Sequence, residues 1–233
     1  MKLGLFADSH FSTAELTCGN RYNSQALDRI RKACGEFAEA GCHRIICLGD
    51  LIDHETVHAR EVENLKQVAA VFRSCPVPVT VIMGNHDGFS FTREEFYGIL
   101  GENCRPKDLY SKPVSLIFAD ACYFRSGKPY GPGDSNWTDT CLPDPEELQH
   151  RLEQAPGSVY VFLHQNLDPN VEPHHILANA AEVRQILESS GKVQMVYQGH
   201  YHPGNETQSD GIRYVTVPAL CTYENAKQIV ILK

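Results

Sequence analysis

At 233 residues the chain is long enough for one domain with a sizeable core, and a hydrophobic fraction of 42% beside a charged fraction of 21% is that of a globular protein. No apolar run approaches the roughly 18 residues that a helical membrane span requires, so no membrane segment is expected. A formal net charge of −8 argues against a broad basic surface that grips nucleic-acid phosphates, so any phosphate bound here needs positive charge from another source.

The first predicted strand is "KLGLF" (2–6), and the polar residues Asp8 and His10 follow it directly. On an extended chain, residues two apart point to the same side, so this carboxylate and imidazole can address one ligand. The start "MKLGLFADSH" has about five apolar residues before Asp8, fewer than the 7–15 of a secretory core, so the mature chain is expected to begin at Met1. "NSQALDRIRKACGEFAEAG" (23–41) spaces Ala26, Leu27, Ile30, Ala33, Cys34, Phe37 and Ala38 along one helical stripe that ends at Gly41. A strand "RIICL" (44–48), a helix "AREVENLKQVAAVFRS" (59–74) and a strand "VPVTVIM" (77–83) repeat the alternation, which predicts parallel strands joined by crossover helices. Further strands are expected at "VSLIF" (114–118), "VYVFL" (159–163), "VQMVY" (193–197) and "RYVTV" (213–217), with a helix over "ANAAEVRQILESSG" (178–191). "VSLIFADACYF" and "GIRYVTVPAL" read as hairpin strands, which makes the sheet system mixed. The Gly- and Pro-rich "RSGKPYGPGDSNW" (125–137) reads as an exposed loop. Nine cysteines with no CxxC pair fit a reduced, cytoplasmic setting in which several are small buried apolar groups.

The polar cluster behind each apolar run carries the chemistry: "DSH", "GDLID", "GNHD", "HQN" and "GHYH". Carboxyl ends of strands in open α/β sheets converge where ligands bind, so five clusters at five strand ends point to one shared site. Carboxylate, amide oxygen and imidazole without thiolate suit divalent Mn, Fe or Zn. Asp8, His10, Asp50, Asn85, His164, His200 and His202 are seven groups, more than one ion with an open position uses, and two ions sharing a carboxylate use them all. Such pairs stabilise the attacking and leaving oxygens of an in-line displacement at phosphorus.

Those five motifs, in this order over residues 8 to 202, resemble the calcineurin-like metallophosphoesterases. The resemblance implies two mixed β-sheets packed face to face with helices outside, a four-layer α-β-β-α sandwich, as one metallophosphoesterase domain over 1–233. It implies that Asp8, His10 and His202 hold one metal, that Asn85, His164 and His200 hold the other, and that Asp50 bridges them. It also implies that His86 contacts the scissile phosphate and assists the leaving group while Asp53 orients it. Protein phosphatases of this superfamily follow "GDxxD" with Arg-Gly, whereas this chain has His54 and Glu55, which lowers the expectation of a protein phosphatase. "GNRYNSQALDRIRKACGEF" with "HHILANAAEVRQILESS" looks like the branch of ADP-ribose and CDP-alcohol diphosphatases, which nominates Arg21 as a phosphate contact and a small phosphodiester or nucleotide diphosphate linkage as substrate. That branch often carries Gln where His10 stands.

Each piece has a duller explanation when taken alone. Asp8 and His10 would serve as a strand end and turn, Asn85 as a turn residue, Asp50 to Asp53 as a helix cap, and His164 as a structural histidine. Five such accidents in one ordered set are not expected. His43, His58 and His150 read as solvated surface groups, Glu61 and Glu63 as an exposed helical face, and His174 and His175 as loop or cap residues ahead of the alternative, substrate contact. Arg21 reads equally well as a surface salt-bridge residue, Arg125 and Lys128 as loop cations, and Tyr130 and Trp137 either as stacking groups for a nucleobase or as pins of the loop. The rival classes are a phosphomonoesterase or protein phosphatase, a metal-free scaffold of the same fold, and a nuclease subunit.

Overall fold

A computed structural model describes residues 1–233. In chain order the elements are β1 (Lys2–Phe6), α1 (Ala26–Glu39), β2 (Arg44–Cys47), α2 (His58–Ser74), β3 (Val79–Val81), α3 (Asn85–Ser90), α4 (Arg93–Leu100), β4 (Val114–Phe118), α5 (Pro145–Gln154), β5 (Ser158–Phe162), α6 (Ala180–Ser189), β6 (Val193–Gln198), β7 (Asn205–Ser209), β8 (Ile212–Thr216) and β9 (Lys227–Ile231). All seven apolar runs expected as strands are strands.

Two sheets form, one in the order β3-β2-β1-β9 and one in the order β4-β5-β6-β8-β7. Within each sheet only one strand is antiparallel to its neighbour, β9 against β1 and β7 against β8. Period-two alternation sorts the side chains between faces. Leu3, Leu5 and Ile46 of the first sheet meet Leu116, Tyr160, Phe162 and Val215 of the second in one buried cluster between the sheets. The opposite residues, Phe6, Ile45 and Cys47, pack outward against Ile30 and Phe37 of α1 and Leu65, Val68 and Phe72 of α2. Val159, Val161 and Val196 pack outward against Leu148 and Leu152 of α5 and Val183 and Leu187 of α6. The result is the α-β-β-α sandwich, and each large aliphatic or aromatic side chain buried within it contributes about 1.5–3 kcal/mol. No helix is long and apolar enough to cross a membrane.

Local chemistry sets the element ends. A Cβ at Gly4 would run into the Phe37 ring, so glycine there lets α1 lie close to β1. Gly41, at φ 70°, follows the end of α1 in the left-handed conformation that a helix stop uses. Asp144 caps α5, its Oδ1 accepting the Glu147 N–H at 2.9 Å, with Pro145 in the first turn.

Two local expectations are corrected. β4 is chiefly a parallel strand beside β5, Val114 opposite Ser158, and its antiparallel pairing is confined to a single bridge between Leu116 and Leu109. Glu61 is not on an exposed face, since it is buried at 2% while Glu63 is exposed. By contrast β7 and β8 do form a hairpin, turning at Asp210 and Gly211 with φ 48° and 82°, the pairing that favours a tight two-residue turn.

Candidate metal centre

The strands β1, β2, β3, β5 and β6 end at one edge of the sandwich, and every polar cluster read from the sequence lies just beyond. Asp8 N donates to Gly49 O at 3.0 Å, His10 N to Asp50 O at 3.0 Å and Gly199 N to His164 O at 3.0 Å, so neighbouring loops continue the sheet ladders past the strands. Six non-glycine residues have positive φ, and four of them are Asp8 (52°), His10 (45°), Asp50 (50°) and His200 (68°). Strained backbone of this kind persists where the surroundings over-determine it, and it aims the side chains inward.

The glycines of the motifs have a shared purpose. A Cβ on Gly84 would collide with the Asp50 carboxylate, one on Gly49 with the His164 ring, and one on Gly199 with Asp8 Oδ2 at 2.8 Å. In "GD", "GN" and "GH", each glycine therefore clears space for a side chain of another cluster.

All seven expected ligands converge. His10 Nε2 lies 3.1 Å from His202 Nε2, and Asp8 Oδ1 lies 3.9 Å from the first and 3.7 Å from the second. His164 Nε2 lies 3.0 Å from Asn85 Oδ1 and 3.4 Å from Asp50 Oδ2, which is also 3.6 Å from His10 Nε2. Ligand atoms close enough to share an ion occur as His10, Asp50 and His86 and again as Asp50, His164 and His200, so Asp50 belongs to both. Cys221 joins His10 and His202 in a third such group, a neighbour that the sequence reading did not include.

The electrostatics of this cluster fit divalent cations. Burial pushes Asp8 up to about 7, and it pushes His10 down to about 4, His202 down to about 2 and His200 well below the usual range. Three neutral imidazoles thus present lone pairs. Burial acts against it, yet the Asp50 carboxylate draws the His164 proton affinity up to about 9. For Asp50, His164 and His86 outweigh burial and hold the carboxyl well below its ordinary value. His10 Nδ1 is buried with no hydrogen-bond partner. Nitrogen and oxygen atoms 3.0–3.9 Å apart match the edges of a coordination shell with bonds of about 2.0–2.2 Å. His164 Nδ1 donates to Leu48 O at 2.8 Å, which fixes Nε2 as the atom facing the cluster.

Asp53 and His86 are brought together as expected: His86 Nδ1 donates to Asp53 Oδ1 at 2.8 Å. The His10 and His86 rings beside it outweigh burial and hold Asp53 well below the carboxylate range, while Asp50 and Asp53 outweigh burial and raise His86. Arg21 Nη1 stands 3.6 Å from Asp53 Oδ2 and lines the cleft above the cluster, about 510 Å³ in volume, together with Trp137, His174 and His175. His174 and His175 thus border the cleft, a place compatible with substrate contact, the less favoured of their two readings, and the His175 ring lies 5.0 Å from that of His200.

The sequence reading missed the supports. Asn23 Nδ2 donates to Asp53 Oδ2 at 2.9 Å and to His10 O at 2.7 Å, and Thr17 Oγ1 donates to Asp53 at 3.2 Å. Asp87 accepts from Leu51 N, Ile52 N and Gly84 N, tying the second cluster to the third. Asp87 was legible as the last residue of "GNHD". Asn23 and Thr17 carry no local signal.

A dimetal phosphatase from Danio rerio has a TM-score of 0.80 at 19% identity, covering 95% of this chain and 88% of its own. The protein TT1561 of Thermus thermophilus has a TM-score of 0.60 at 10% identity over 94% and 90% of the two chains. The phosphopantetheinyl hydrolase of Mycobacterium tuberculosis has a TM-score of 0.60 at 14% identity over 100% and 96%. At these identities the likeness is one of fold. No curated protein matches the chain. The family model for calcineurin-like phosphoesterases, however, matches residues 1–204, a span that contains all seven candidate ligands from Asp8 to His202, and the chain belongs to that family of metal-dependent phosphoester hydrolases.

Proposed function

We propose that residues 1–233 act as one domain that hydrolyses a small-molecule phosphodiester or a nucleotide diphosphate linkage such as that of ADP-ribose. In this reading Asp8, His10 and His202 hold one divalent ion, Asn85, His164 and His200 hold a second, and Asp50 is shared. The observation that carries it is the membership of Asp50 in two separate ligand groups, its Oδ2 lying 3.6 Å from His10 Nε2 of one and 3.4 Å from His164 Nε2 of the other. Bound ions of the Mn, Fe or Zn type supply Lewis-acid stabilisation of phosphoryl oxygens and lower the pKa of water.

The chain's own residues do the rest. Arg21, beside the cluster and facing the cleft, orients a phosphoryl oxygen. Asp53 takes the His86 Nδ1 proton in a hydrogen bond, which leaves Nε2 turned to the cleft without a protein partner. The oxygen of a water molecule bonds to phosphorus as the bond from phosphorus to the leaving oxygen breaks, and His86 Nε2 gives that oxygen a proton. The water proton then restores His86. His54 and Glu55, in place of the Arg-Gly of protein phosphatases, and the cleft volume of about 510 Å³ both favour a small substrate.

Metal-free and Mn-reconstituted protein, each assayed on an aryl phosphomonoester, a bis-aryl phosphodiester and ADP-ribose, provide the test. Turnover is expected only with metal and to favour the diester or the diphosphate. Preference for the monoester, or turnover unchanged by metal removal, overturns the reading.

A further inference from the structure

Behind His86 the cleft opens into a second hollow of about 230 Å³, lined by His54, Asn85, His86, Phe89, Tyr130 and Trp137. Asn85, His86 and Trp137 also line the polar cleft, so the two spaces adjoin across these side chains. Their chemistry differs. The cleft is walled by Arg21, Glu172, His174 and His175, whereas the hollow is walled mainly by ring faces and edges.

The hollow is built rather than incidental. Phe89 follows His86 by one turn of α3, so a single helix aims both into the same space. The His54 ring stands edge-on to Phe89 with centroids 4.8 Å apart. Tyr130 is buried, its N–H donating to Cys122 O at 3.0 Å and its hydroxyl to Asp134 O at 3.2 Å. Gly88 leaves room for it, since a Cβ there would meet the Tyr130 ring at 3.1 Å. The loop that supplies Tyr130 and Trp137 is braced by the Lys128 to Asp134 ion pair at 2.7 Å and by Gly131 N donating to Asp134 at 3.1 Å. A preformed aromatic slot costs little ordering when a flat group enters it.

We infer that this hollow seats a flat aromatic group, a nucleobase or an aryl ring, carried on the leaving side of the substrate. The inference rests on the two-metal hydrolase reading of the adjoining cleft. His86 Nδ1 is engaged by Asp53, so the proton available to the substrate is on Nε2, and the oxygen that receives it lies against His86. The substituent of that oxygen extends toward the wall behind His86, which is the hollow, while the phosphoryl group and the retained substituent stay among Arg21, His174 and His175. Bases of any identity stack on such rings, so the slot selects for aromaticity more than for one base.

Two substrates with one leaving group separate the sides: bis-p-nitrophenyl phosphate and p-nitrophenyl methyl phosphate, each assayed on Mn-loaded wild type, Phe89→Ala, Phe89→Leu and Trp137→Ala, with metal content measured on every variant. Phe89→Ala is expected to raise KM for both by roughly 5- to 100-fold, the range that loss of one stacking partner gives, with two ions retained and Phe89→Leu intermediate. A rise confined to the bis-aryl ester overturns the leaving-side assignment. Adenosine binding, titrated by calorimetry, is expected in wild type and weakened in Phe89→Ala and Trp137→Ala, whereas ribose does not bind. Adenosine bound equally by wild type and both variants, or no better than ribose, overturns the slot. Failure of wild type to hydrolyse either ester counts against the two-metal reading, and the adenosine titration still reads the hollow.

Discussion

Asp50 sits where the two ligand groups overlap, 3.6 Å from His10 Nε2 and 3.4 Å from His164 Nε2, and its Oδ1 accepts the His86 N–H at 2.8 Å. A side chain shared in this way is expected to differ from one that serves a single group. Elemental analysis after Mn reconstitution is expected to find both ions lost in Asp50→Ala and one retained in His200→Ala, with turnover abolished in each. Two ions in His200→Ala would refute the ligand assignment. At this scale the residues that were legible are those whose type alone is costly in a core, Asp8, His10, His164 and His200, each buried at 0–6% exposure. A buried charge or imidazole needs a partner, and so it announces a site. Asn23 and Thr17 were illegible because their amide and hydroxyl acquire a role only when a distant carboxylate, Asp53, folds against them.

Among the elements, α2 departs most from its sequence pattern. Its first turn buries Glu61, whose Oε1 receives Ser90 Oγ at 2.9 Å and the Glu55 N–H at 3.0 Å, with His54 and His58 within 2.8 Å of the carboxylate. These contacts outweigh burial and hold the Glu61 carboxyl below its ordinary 4.5. A depressed folded pKa means stability that is present above 4.5 and lost as pH falls through the folded value. Glu61→Gln is therefore expected to cost about 1–3 kcal/mol near neutrality and to flatten the loss of stability below pH 4.5, both read by urea titration across pH. An unchanged acid limb would show that Glu61 is not the group responsible. His58, raised by Glu95 first and Glu61 second, slopes the other way: its contribution is present below 6.5 and fades as pH rises through its folded value. The helical stripe of α2 was readable from Leu65, Val68 and Phe72, but a buried carboxylate looks like a surface one until its partners are placed. β7 was unreadable for the converse reason. Its sequence NETQS alternates only between half-buried and exposed, so it carries no apolar period.

For the molecule as a whole, the ligand set divides between the layers. Asp8, His10, Asp50 and Asn85 follow strands of the four-stranded sheet, and His164, His200 and His202 follow strands of the five-stranded sheet. On the proposed ligand assignment, metal bound at their junction would fasten one sheet to the other and link stability to occupancy. Removal of metal by a chelator is expected to lower the melting temperature, and Mn at 100–1,000 times its dissociation constant to restore about 3–4 kcal/mol; a melting temperature indifferent to chelator would contradict the linkage. The sandwich was legible because seven apolar runs and their helices repeat a simple rhythm, whereas the pairing partner of the β9 edge strand depends on a return of the chain that no local pattern announces. The left-handed backbone at Asp8, His10, Asp50 and His200 also bears on how the chain ages under mutation. A non-glycine side chain in that conformation is carried at a standing cost of about 1–2 kcal/mol, tolerated only while the ligand is needed. A lineage released from catalysis would recover that cost by drifting toward glycine or asparagine at any of the four, so joint loss of these side chains with the glycine-rich turns kept is the mark of a descendant that retains the fold and abandons the reaction.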